Sequence, residues 1–332
     1  MRSGLFGRML PHAAANGLRL VLLNRPEYTH STLLSDDELA MICGAETSFA
    51  AGRGFLRRRS IEIALFMAWF VQAEPIPPIS DKDQGGLILV GWSSGWAHIA
   101  PLLAYADEVP ADVVQALTPY FRGLCAFDPP CVATGLPLKG IAQSWYRPVS
   151  DSSLTLAEFC GYFPKWVSSY YSHPGFHSRD YDGMSETSII DPPADKRPTT
   201  ECMSLADQAA TLCQGAIDRL ERPLFAMPAK IFLDVTQRLF DGSKEKANVW
   251  PNCKIYVVSC EETGWEALQG CWQLEDLYLQ KRESGEFGRE LITSAMPGCN
   301  HFPHWDKPEF TCEFFSRCFG KAQETFHRDA RF

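Results

Sequence analysis

The chain has 332 residues, 45% hydrophobic and 21% charged, an ordinary globular composition. That length allows one large α/β domain with an insertion, or two domains. The net charge is −9, and the one tight basic cluster, Arg57, Arg58 and Arg59, is flanked by apolar residues as the polar face of a helix is, which argues against a nucleic-acid partner.

The first residues, MRSGLFGRMLPHAAANG, contain no apolar h-region of the usual length, so no secretory signal is read. Residues 18–24, LRLVLLN, form an aliphatic run that reads as a buried strand. A long helical region follows from Ser35, which with Glu38 fits a capping box. It runs to Ala73 with a break expected near Gly52 and Gly54, and Pro75, Pro77 and Pro78 end it. Its most apolar part, residues 61–71, contains Glu62 and is too short to span a bilayer.

Residues 85–91, GGLILVG, read as the next buried strand. Trp96, Ile99, Ala100 and Leu103 then recur on one face of a helix. Residues 123–128, GLCAFD, read as a third strand, stopped by Pro129 and Pro130. Residues 131–250 mix helical pieces with proline-rich breaks and show no comparable strand, which suggests an inserted helical cap. KIYVVSC, residues 254–260, is a fourth strand, and a short strand in ELITSAM leads to a loop and a last helix from about Lys307. Apolar strands alternating with helices predict an α/β fold: a mostly parallel sheet with helices on both faces. Three parts are expected: core 1–130, cap 131–250, and core 251–332.

Gly91-Trp92-Ser93-Ser94-Gly95 is a G-x-S-x-G sequence between a strand and a helix, the context in which that motif exposes a reactive serine. Ser93 holds the central position, and both glycines are expected where a Cβ would collide with strand or helix. A serine nucleophile needs a base, and His301 in PGCNHFPHW is the best placed. His304 leads into a helix, His98 is expected to pack or cap, and His12 and His30 lack context. The acid that orients the base is Asp128, at the end of its strand, with Glu262 (or Glu261) after the fourth strand as the alternative.

This order of strand, elbow, helix, acid and late histidine resembles the α/β-hydrolase superfamily. GLRLVLLNRPEY is similar to its strand four and following loop, LILVGWSSGW to its strand five and elbow, and MPGCNHFPHWDKPEF to its histidine segment. The nearest resemblance is to capped hydrolases of fungi, some from secondary-metabolite clusters. It implies a triad of Ser93, His301 and Asp128, with the Ser94 amide in the oxyanion hole. It also implies strands before residue 18, one of which would end in a His-Gly loop and lie in the sheet between the strands at 18–24 and 87–91. The sequence lacks these, so an N-terminally shortened member is expected.

The aromatic residues Trp145, Tyr146, Phe159, Tyr162, Phe163, Trp166, Tyr170 and Tyr171 suggest cap core with a few pocket walls, hence an apolar ester, thioester or lactone substrate. No cofactor is expected. Twelve scattered cysteines form no C-x-x-C pair, so free thiols are expected rather than a disulfide framework or a zinc site. The competing reading is a catalytically impaired, hydrolase-like protein that binds a small molecule. Cytoplasm is the default location; Ala330-Arg331-Phe332 has the small-basic-apolar shape of a peroxisomal terminal tripeptide.

Overall fold

The computed structural model describes residues 3–80, 84–151, 153–242, 249–286 and 288–320; the terminal tripeptide Ala330-Arg331-Phe332 lies outside them. Its centre is a four-stranded sheet of β1 (Leu87–Trp92), β2 (Phe121–Phe127), β3 (Lys254–Cys260) and β4 (Leu291–Met296). The strands lie in sequence order and every neighbouring pair is parallel. Helices around the sheet include α1 (Phe49–Ala73), α2 (Gly95–Ala104), α3 (Ala111–Leu117), α4 (Leu156–Ser168), α5 (Ala229–Leu239), α6 (Trp265–Glu283) and α7 (Pro308–Phe319).

The strands are apolar on both faces because both faces are covered. Successive residues point to opposite sides. Leu87, Leu89, Leu124, Ala126, Ile255 and Val257 pack with residues of α1, α2, α3, α5 and α6. Ile88, Val90, Cys125, Phe127, Tyr256 and Val258 pack instead with Phe314 and Phe315 of α7 and with Met9. All twelve cysteines are free thiols. Among the described residues, no helix is long and apolar enough to cross a membrane.

Three expectations are corrected. Residues 18–24 are not a strand. They run without regular structure, with Val21 and Leu23 43% and 42% exposed, while Leu18 and Leu20 pack inward on the α7 side of the core. A strand needs a paired neighbour, and β1, which among the described residues pairs with β2 alone, does not reach this segment. Residues 18–24 and β1 instead form opposite walls of a cavity of about 1410 Å³. The helix break falls at residues 41–48 rather than at Gly52 and Gly54, which α1 runs through. Gly52 is there for close approach: a Cβ on it would lie 2.5 Å from Ile231 Cδ1 of α5. Finally, the collision argument holds for Gly91, where a Cβ would sit 2.8 Å from Ile99 Cδ1, and fails for Gly95, which has open space.

Between β2 and β3 the described residues carry helices and turns and no strand. The last of these helices, α5, lies against α2 and buries Ile231, Phe232 and Val235 in the sheet's own core. That end of the insertion is therefore part of a core layer.

Candidate active site

Ser93 and Asp128 each stand one residue beyond the carboxyl end of a strand, β1 and β2. The Ser93 N–H donates to Phe127 O at 2.9 Å and the Asp128 N–H donates to Val258 O at 2.7 Å, so the sheet's ladder fixes both backbones. Both then turn sharply: φ is +53° at Ser93 and +51° at Asp128. Left-handed backbone is costly for a residue with a Cβ, and such strain persists where the surroundings over-determine it, commonly at functional sites. After Ser93 the chain enters α2 at once, with Ser94 as its N-cap. The Ser94 N–H has no acceptor among the described residues.

Asp128 is fully buried. Its Oδ1 accepts the Cys260 N–H at 3.0 Å. Its Oδ2 accepts the Thr263 hydroxyl at 2.6 Å and lies 2.6 Å from His301 Nδ1. A carboxylate offers no proton at neutral pH, so this contact assigns the His301 proton to Nδ1 and leaves Nε2 as the basic nitrogen. Nε2 is buried and has no hydrogen-bond partner among the described residues. His301 lines the same cavity as Ser93, and no hydrogen bond joins the two side chains. Such contacts often tighten only when substrate is bound.

The His301 loop is held from several sides. Trp92 Nε1 donates to His301 O at 2.9 Å, and the two rings lie 4.8 Å apart. Asn300 Nδ2 donates to Ser168 O at 2.7 Å and to Thr199 Oγ1 at 2.8 Å, while its Oδ1 accepts the Phe302 N–H at 2.8 Å. The loop is thus pinned to the inserted segment.

Of the two acids read from sequence, Asp128 reaches His301 and Glu262 does not. Glu262 Oε1 is 2.6 Å from Lys196 Nζ of the inserted segment. Glu261 accepts the Gly298 N–H at 2.8 Å and shapes the loop before His301. His304 is fully buried, stacked on Phe6 at 4.1 Å, and burial holds its pKa well below the ordinary value. His98 is buried in α2, where burial first and Arg25 second lower its pKa to about 3.

Two groups of residues at the site were not singled out from sequence. One surrounds Ser94. Arg25 Nη2 lies 3.3 Å from Ser94 Oγ and 2.5 Å from Glu221 Oε1, and Tyr28 Oη donates to Glu221 at 2.8 Å. The other is Thr263 with His173. Neither group has a local sequence signature, because the bonds that tie each to the site join residues far apart in the chain.

The cavity extends from Ser93 and His301 along residues 18–24 and up to the insertion, which contributes Phe159, Phe163, Trp166 and Phe225. Trp145 packs on Trp265 away from it, and Tyr146 and Tyr162 are exposed. Comparison with protein-family models and with curated proteins yields no match to this chain.

Proposed function

We propose that the protein is a serine hydrolase acting on an ester, thioester or lactone of an apolar small molecule. The observation that carries this reading is the 2.6 Å contact between Asp128 and His301, with His301 Nε2 unpartnered and on the same cavity as Ser93. The resemblance to the α/β-hydrolase superfamily supports it. The part of residues 131–250 that precedes α5 then acts as a cap over the site. In this mechanism His301 Nε2 takes the Ser93 proton as Oγ attacks the substrate carbonyl. Asp128 keeps the imidazole in the required tautomer and stabilises its charged form. The Ser94 N–H donates to the developing oxyanion. The protonated His301 passes its proton to the leaving group, and a water activated by the same nitrogen releases the acyl group from Ser93.

The cavity walls support this substrate class. Apolar and aromatic side chains from residues 18–24, α1 and the insertion favour a hydrocarbon portion. A series of p-nitrophenyl esters from acetate to octanoate tests this. Each added methylene buried is worth up to about 0.8 kcal/mol, so kcat/KM is expected to climb about two- to fourfold per carbon over the shorter esters. Turnover that ignores chain length, or that survives His301→Ala, contradicts the proposal.

A further inference from the structure

Asp128 Oδ2 carries two bonds, one to His301 and one to Thr263, and Thr263 is in turn held by the inserted segment. Ser185 donates its backbone N–H to His173 Nδ1 at 3.0 Å. Nδ1 is therefore the unprotonated nitrogen, and Nε2 carries the proton, which it donates to Thr263 O at 2.7 Å. The Thr263 hydroxyl donates to Asp128 Oδ2 at 2.6 Å, and that oxygen meets His301 Nδ1 at 2.6 Å. Thr263 and Asp128 are fully buried and His173 is 7% exposed, so water does not compete for these bonds. Burial is also the first cause that lowers the His173 pKa, which keeps the ring neutral and its Nδ1 free to accept. A second contact ties the same strip of insertion to the same turn, because the Tyr171 N–H donates to Glu262 O at 3.0 Å.

We infer that His173, acting through Thr263, is a positioning residue for the Asp128–His301 pair, so that docking of the inserted segment and the geometry of the pair are coupled. A carboxylate with one oxygen on a backbone amide and the other on His301 alone can still rotate about its Cβ–Cγ bond. The Thr263 hydroxyl removes that freedom and fixes Oδ2 where His301 Nδ1–H points. His173 fixes the Thr263 backbone from the other side. Partners that hold a metal ligand in the same indirect way are worth about 10–100-fold in affinity or activity, and an effect of that order is expected here.

The inference rests on reading Asp128 and His301 as a catalytic pair, so its test includes a readout that needs no turnover. The His301 Nδ1–H proton is observed by NMR on protein labelled with ¹⁵N-histidine and assigned by its absence in His301→Ala. Thr263→Val and His173→Phe are expected to shift or broaden that resonance. They are also expected to lower kcat about 10–100-fold with KM within about twofold. Thr263→Ser restores both. If either variant does not fold by near-ultraviolet circular dichroism, the other carries the test, because the two act on opposite ends of the chain of bonds. An unchanged resonance in a folded variant overturns the inference. A shifted resonance in a protein that hydrolyses no ester leaves the positioning role standing and removes the hydrolase reading.

Discussion

Ser93→Ala is expected to abolish ester hydrolysis, lowering kcat by about 10⁴–10⁶-fold, as removal of a triad nucleophile does elsewhere. Ser94→Ala is expected to cost less than about tenfold, because the oxyanion donor at that position is the backbone N–H and substitution leaves it in place. What the alanine loses there is the 3.3 Å contact of Ser94 Oγ with Arg25. A second consequence separates a functional turn from a merely structural one. Ser93 is held at φ +53°, and glycine adopts that conformation without the steric cost. Ser93→Gly is therefore expected to unfold about 1 kcal/mol less readily than the parent while having no activity. Steady-state kinetics and urea unfolding on the same three variants check both statements. Equal activity loss in Ser93→Ala and Ser94→Ala contradicts the assignment of the nucleophile.

Lowering the pH from 7.5 to 5.5 is expected to lower stability by at least about 1.4 kcal/mol, the share of His98 alone. Three buried histidines, His98, His173 and His304, are held neutral in the folded protein, His98 with a pKa near 3 and the others lowered mainly by burial. In the unfolded chain each titrates near 6.5. Above that value both states are neutral and the histidines contribute no pH dependence. Below it the unfolded chain takes up protons that the folded protein refuses, so stability falls at up to about 1.4 kcal/mol per pH unit per histidine until the folded pKa is reached. At pH 5.5 this is about 1.4 kcal/mol for His98, and His173 and His304 add to it in the same direction. Asp306 and Glu266, whose pKa values burial raises, bind protons more readily when folded and oppose the trend at lower pH. Against a typical stability of about 5–15 kcal/mol, the loss is measurable. Urea midpoints across this range measure it. His304→Phe, in a pocket already walled by Phe6, Trp92, Phe127 and Phe302, is expected to reduce the slope. A flat profile contradicts the account of neutral buried histidines.

The sheet and the elbow are legible in sequence because their signals are local. Four apolar residues before Gly91 and a helical face after Ser94 are short-range patterns, and β1 and α2 form where they predict. Asp128 is legible for the same reason, as the residue that ends an apolar run before two prolines. Residues 18–24 show the limit. Their run of leucine and valine has strand character, but a strand exists only as half of a pair, and the run itself says nothing about whether an edge stands beside it. Gly52 misleads in the opposite direction. It looks like a helix break and is a helix-crossing contact with Ile231. Thr263 and His173 carry no signal at all, since a threonine before a helix and a histidine in a loop are ordinary, and only the fold brings them behind Asp128.

The central claim is that Ser93 is an activated nucleophile, and covalent labelling measures this most directly. The folded protein is treated with a fluorophosphonate, digested, and mapped by mass spectrometry. The account predicts one modified residue, Ser93, with labelling lost in His301→Ala and slowed in Asp128→Asn while the protein remains folded. Modification at Ser94, or labelling of Ser93 no faster than in protein unfolded by urea, contradicts the claim and leaves a cavity that binds a small molecule without reacting with it.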